Sequence, residues 1–172
     1  MTNPSSDPAV PGPELLGTRL RHLLDLLDGD VAAVYADLGL PDFRPRFTPV
    51  LRHLAAAGPV PIRDIARAIG VTHSAASQTV GQLVREGLAE LAPGADARQR
   101  IVRLTPRAEG LLPTLDLEWT ATAAAAAELE AELSHPLSLL VGEALDALRR
   151  RPMRRRIAAA AARRDAAAPD PA

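Results

Sequence analysis

DIARAIGVTHSAASQTVGQLVREGLAEL, residues 64–91, decides how this chain folds. With the two residues before it, Ile62 to Ile69 puts Ile65, Ala66 and Ile69 on one helical face and Arg63, Asp64 and Arg67 on the other. Gly70 stands where a helix C-terminus takes a left-handed residue, Val71 plugs the turn, and the Thr72 hydroxyl can cap the next helix. That second helix runs from His73 to Arg85. Ala76, Val80 and Leu83 fall on its buried side, while Ser74, Ser77, Gln78, Gly81 and Gln82 share the opposite side at spacings of three and four. Hydroxyl and amide side chains gathered on one face match base edges and phosphates. The competing reading is a merely solvated polar face.

The residues C-terminal to this helix favour the first reading. Gly87 ends the helix, then Leu88–Leu91 and Arg100–Leu104 read as two short strands with Pro93, Gly94 and Ala95 in the turn. Along the second strand Ile101 and Val102 are apolar and Arg100 and Arg103 polar. Arg98 lies near the hairpin tip, two residues after Asp96. An Arg there suits a narrow, electronegative minor groove, with Asp96 holding the loop; an ordinary surface charge is the alternative. Strands this short must lean on the helices. Helix, turn, helix and hairpin in this order make a mainly α winged helix-turn-helix, a device for placing one helix in the DNA major groove.

Outward from this centre, residues 1–13, four of them Pro, read as a disordered arm. A helix over Glu14–Leu38 carries Leu20, Leu23, Leu27, Val31, Val34 and Leu38 as one apolar stripe fit for a partner helix, and Gly39 and Pro41 close the 14–40 segment. A short helix from Pro49 to Ala57 completes a three-helix module with a hairpin wing over 41–110. Downstream, Ala108–Leu133 reads as a long Ala-rich helix, with Pro113 implying a kink or a later start. A last helix from Leu137, interrupted at Pro152, extends to a tail over 166–172. The 14–40 and 111–165 segments are the candidate dimerisation helices.

The run 62–110 resembles regulators of the MarR family. The resemblance rests on residues 64–91 as quoted, on Asp96-Ala97-Arg98 in the wing, and on LTPRAEG from Leu104 to Gly110. It implies an obligate homodimer with interlocked terminal helices and two modules reading a palindromic operator. Recognition positions carry over to Thr72, His73, Ser74, Ser77, Gln78 and Gln82, and the minor-groove contact to Arg98; Arg100 beside it is a further candidate DNA-binding residue. One departure is chemical: no Arg or Lys lies between Thr72 and Val84. Bidentate Arg-to-guanine readout therefore cannot come from this helix, and Gln78 or Gln82 to adenine is the expected strong contact.

Charge agrees once it is mapped. The 172 residues carry a net −1, but 61–110 is net +2, 111–148 holds seven acids and no Arg, and 149–172 holds eight Arg against two acids. The cluster Arg149–Arg156 reads as a DNA or membrane patch, or as a salt-bridging face answering the acidic segment across a dimer; the sequence favours the latter. Without cysteine there are no disulfides, thiolate zinc sites or thiol sensors, and four scattered His make no metal site. No cofactor is implied. No apolar run reaches a membrane span of about 20 residues, and no signal peptide opens the chain, so a cytoplasmic protein is expected. Ser74 and Ser77 near His73 do not make a hydrolase, because neighbouring helix positions diverge and no third group is implied. The chain reads as no enzyme. Tyr35, Phe43, Phe47 and Trp119 are its only aromatics, and they either line an effector pocket or fill the core. The reading is a homodimeric repressor of double-stranded DNA, relieved by a small molecule. The alternative is a winged-helix protein-interaction module without DNA binding.

Overall fold

The structure, a computed structural model, describes residues 12–94 and 100–167. The chain divides after Asp116 into two units. In the first, a 3-10 turn at Pro13–Leu15 leads into α1 (Leu16–Asp37), and a second turn at Pro45–Phe47 leads into α2 (Thr48–Ala57). Then come β1 (Val60–Pro61), α3 (Ile62–Ile69), α4 (His73–Arg85), β2 (Ala89–Pro93) and β3 (Arg100–Leu104). The helices α5 (Pro106–Ala131), α6 (Leu137–Arg150) and α7 (Met153–Ala167) come next, with the division between units falling inside α5.

The core of the first unit is made by the apolar faces that the helical period dictates. Val50, Leu51, Ile65, Ala76, Leu83 and Val102 are fully buried, and Leu54 and Val80 nearly so. The sheet is antiparallel in the order β1-β3-β2, which puts Val102 on its central strand. β1 has no signature in the sequence. Two residues, one of them Pro61, carry no alternation to detect, and only pairing with Ile101 and Val102 makes them a strand. β2 begins one residue later than expected and extends to Pro93, which pairs with Arg100 instead of turning. Proline is tolerated there because β2 is an edge strand, where a missing N–H leaves no central ladder broken.

α5 corrects the expected start at Ala108. Thr105 Oγ1 accepts the Ala108 N–H at 3.2 Å and Pro106 occupies the first helical position, so Leu-Thr-Pro is a helix start. The helix continues through Pro113. The carbonyl deprived of a partner belongs to Glu109, and both residues lie on exposed helix.

In the second unit, Trp119 and Glu118 are buried, Thr122 Oγ1 donating to Glu118 Oε1 at 2.5 Å. Glu130 caps α6, its Oε1 accepting the Ser138 N–H at 2.5 Å and its Oε2 the Ser138 hydroxyl at 3.0 Å. At the other end Arg156 donates to the carbonyls of Ala147 and Arg151, each at 3.0 Å. Arg149 pairs with Asp146 at 2.7 Å, one turn back. Part of the Arg149–Arg156 cluster thus serves the helices that carry it. α6 buries none of its side chains, leaving Leu139, Leu140, Val141, Leu145 and Leu148 exposed.

Candidate nucleic-acid interface

α3 ends in a left-handed Gly70 (φ 73°, ψ 27°), and the N–H of Val71 closes on the Ala66 carbonyl at 3.0 Å. The Gly70 N–H reaches the same carbonyl, so two successive N–H groups converge on Ala66 where the left-handed glycine turns the chain. Two residues later Thr72, in extended backbone, accepts the Ala75 N–H at 3.2 Å through Oγ1 and starts α4. Ala76, Val80 and Leu83 press α4 into the core. His73, Ser74, Ser77 and Gln78 are thereby exposed, with Gln82 half-buried on the same helix. Of the expected recognition positions, Thr72 has a second task as the helix cap, although its O–H remains able to donate.

The far end of α4 is held from the segment after the wing. Gly87 adopts φ 65°, and the N–H of Leu88 returns to the Leu83 carbonyl at 2.8 Å. Thr105 Oγ1 donates to the Gly87 carbonyl at 2.7 Å, and Arg107 Nη1 to the Glu86 carbonyl at 2.6 Å. The LTPRAEG run is therefore a latch between α4 and α5.

The wing base is β2 and β3. Arg100 opens β3 and is exposed. Arg103 lies opposite Glu90 in the ladder and pairs with it at 2.7 Å, so its charge is engaged within the sheet. Arg98 and Asp96 lie outside the described residues.

One residue joins this surface that the sequence does not assign to it. Arg46, in the turn before α2, donates from Nε at 2.8 Å and from Nη2 at 2.6 Å to Oε1 of Gln82. The alternation Phe43, Pro45, Phe47 around it signals that Arg46 points away from the core. Its partner, 36 residues on, leaves no trace in sequence.

Tyr35, Phe43 and Phe47 are brought together and buried. The Tyr35 and Phe43 rings lie 4.2 Å apart, Phe43 and Phe47 meet edge to face at 5.5 Å, and the Tyr35 hydroxyl is 3.0 Å from Thr48 Oγ1. Trp119 belongs to the second unit. Phe43 packs against both of the other rings and also borders a hollow of about 60 Å³. A roomier groove of about 670 Å³ is lined by Leu54, Pro59, Leu104, Pro106 and Leu112, with Glu90, Arg103 and Glu109 as its charged members. Among the described residues no three His, Asp or Glu side chains gather as a metal site, and no helix is long and apolar enough to cross a membrane.

Comparison with known proteins agrees with this geometry. The MarR family model matches residues 47–99. A mutant MarR from E. coli complexed with operator DNA superposes with a TM-score of 0.57 at 18% identity, covering 77% of this chain and 92% of that one. The PcaV transcriptional regulator from Streptomyces coelicolor, in complex with its natural ligand, gives 0.58 at 19% identity, covering 83% and 97%. An organohalide-sensing transcriptional regulator in its ligand-free form gives 0.63 at 14%, covering 89% and 88%. No curated protein sequence matches the chain. The family match covers residues 47–99, and the likeness of fold to these regulators extends over most of the chain.

Proposed function

We propose that this protein is a sequence-specific DNA-binding transcriptional regulator. It acts in the cytoplasm as a homodimeric repressor of a palindromic operator and is relieved by a small molecule. The observation that carries the reading is the outer face of α4. It is polar and exposed, fixed at one end by the Thr72 cap and at the other by the Thr105 and Arg107 latch. A helix presented so rigidly, with hydroxyl and amide side chains outward, is suited to base edges. The likeness to the operator complex of MarR supports this use. In this reading Thr72, His73, Ser74, Ser77, Gln78 and Gln82 face the major groove, and Arg98 and Arg100 the wing side.

Dimerisation is supported by apolar surface that a lone chain leaves in water. Leu20, Leu27 and Val34 on α1, and Leu38 at its C-cap, are each about two-fifths exposed, and α6 has no buried residue. A 14-residue helix such as α6 is marginal without tertiary cover, so a second copy is the natural cover. The ligand-bound likeness of PcaV and the 670 Å³ groove, within the range of about 300–1,000 Å³ common for ligand sites, support an effector.

The test is a salt-dependent mobility-shift titration on operators selected from genomic DNA with the purified protein. Nanomolar, salt-sensitive binding to a palindrome supports the reading. Absence of binding at low salt, or binding unchanged by Gln78→Ala combined with Arg98→Ala, would leave the protein-interaction module as the better account.

A further inference from the structure

We infer that Arg46 sets the base preference of the recognition helix by fixing the amide of Gln82, so that Gln82 offers only donors to the major groove. This rests on the DNA-binding reading above. Two bonds, 2.8 Å from Nε and 2.6 Å from Nη2, converge on one Gln82 oxygen. A guanidinium has donors and no acceptor, so the atom facing it must be the carbonyl oxygen and the amide nitrogen is turned away. Both lone pairs of that oxygen are then held by charge-assisted bonds.

Arg46 is itself steadied. Pro45 restricts the backbone before it, and its guanidinium lies 6.0 Å from the centroid of Phe47, a ring buried against Phe43. Arg46 thus links the outer face of α4 to the aromatic cluster of Phe43 and Phe47.

The consequence is chemical. Bidentate reading of adenine needs the amide oxygen to accept from the base's amino group while the amide nitrogen donates to N7. Gln82 held by Arg46 has no oxygen left for that purpose. Its two N–H groups suit a base that presents two acceptors, and guanine, with O6 and N7, is that base. Gln78, with no such restraint among the described residues, keeps the ability to read adenine. The expectation that either glutamine reads adenine is therefore divided between them by a residue outside the helix.

Selection from random duplex DNA with the full-length protein tests this, using wild type, Gln82→Ala, Arg46→Met and the double variant. Gln82→Ala should flatten one position in each half-site. At that position wild type should favour guanine over adenine by roughly fivefold to tenfold, the scale of one good base contact. Arg46→Met should shift that position toward adenine, and should change nothing there when Gln82 is already Ala. The inference is overturned if Arg46→Met weakens all sequences alike with the preference intact, which would make Arg46 a phosphate contact. It is equally overturned if Gln82→Ala flattens no position while wild type still selects a palindrome. Failure of wild type to select any sequence removes the DNA-binding reading and this inference together, and is distinct from either result.

Discussion

Thr105 donates a 2.7 Å hydrogen bond to the carbonyl of Gly87, tying the residue that caps α5 to the glycine just past the end of α4. The same oxygen accepts the Ala108 N–H, so one hydroxyl both caps a helix and positions its neighbour. Two half-buried polar groups depend on it. Thr105→Val, nearly the same shape, should lower unfolding free energy by about 1–3 kcal/mol through the unsatisfied carbonyl and lost cap. Arg107→Met, removing an exposed bond to Glu86, should cost under about 1 kcal/mol. Urea denaturation of both variants checks the order, which reverses if the guanidinium is the main latch.

Gly70 makes the turn between α3 and α4 at φ 73°. Nothing lies within 4 Å of a Cβ added there, so the penalty is purely one of backbone conformation. Gly70→Ala should cost about 1–2 kcal/mol, the strain of a left-handed residue with a side chain. Equal melting of variant and wild type would show that the turn can relax without it.

Leu83 is fully buried on the inner face of α4. Leu83→Ala should destabilise by about 2–5 kcal/mol, the usual range for a buried Leu truncation. DNA affinity at a temperature where the variant remains folded should fall less than stability does, because the polar face is unchanged. Equilibrium denaturation and a shift titration on the same sample read the two effects.

Leu27 on α1 is 39% exposed in the single chain. In the proposed dimer that exposure vanishes, and Leu27→Asp places a charge in the seam. Sedimentation should show a monomer, with lower melting temperature and lost binding to the full palindrome. A stable monomeric variant that still gripped the palindrome tightly would exclude the interlocked dimer.

With no Arg or Lys on α4 from Thr72 to Val84, the proposed DNA-binding surface draws its charge from outside that helix, with Arg98 of the wing as the first candidate. Arg98→Ala should reduce the slope of log affinity against log salt by about 1 per protomer, one phosphate-equivalent contact. Gln78→Ala should leave that slope alone and alter base preference. A slope insensitive to Arg98 would move the electrostatic contribution to Arg100 or Arg46.

The module is legible in the sequence because its signals are local. The bounds of α3 and α4 follow from periodicity and punctuation: Ile65, Ala66 and Ile69 at helical spacing, Gly70 as the stop, Thr72 as the cap. β1 is not legible, since two residues acquire strand geometry only by lying beside Val102. The start of α5 misleads because Thr105 and Pro106 look like a break until the hydroxyl is seen to accept the Ala108 N–H. The sequence leaves the aromatic set open between pocket and core, and the structure packs three of the four together, with Phe43 in contact with both Tyr35 and Phe47.

The sequence by itself determined that a polar, uncharged helix face succeeds a tight turn and precedes a hairpin, because propensity, capping and periodicity act within a few residues. Only the tertiary structure decided what holds that helix and which of its amides are held. Those answers depend on pairs far apart in the chain, Arg46 with Gln82 and Thr105 with Gly87. A hydrogen bond is decided by distance and direction between two atoms, and no pattern along a chain encodes either until the chain has folded.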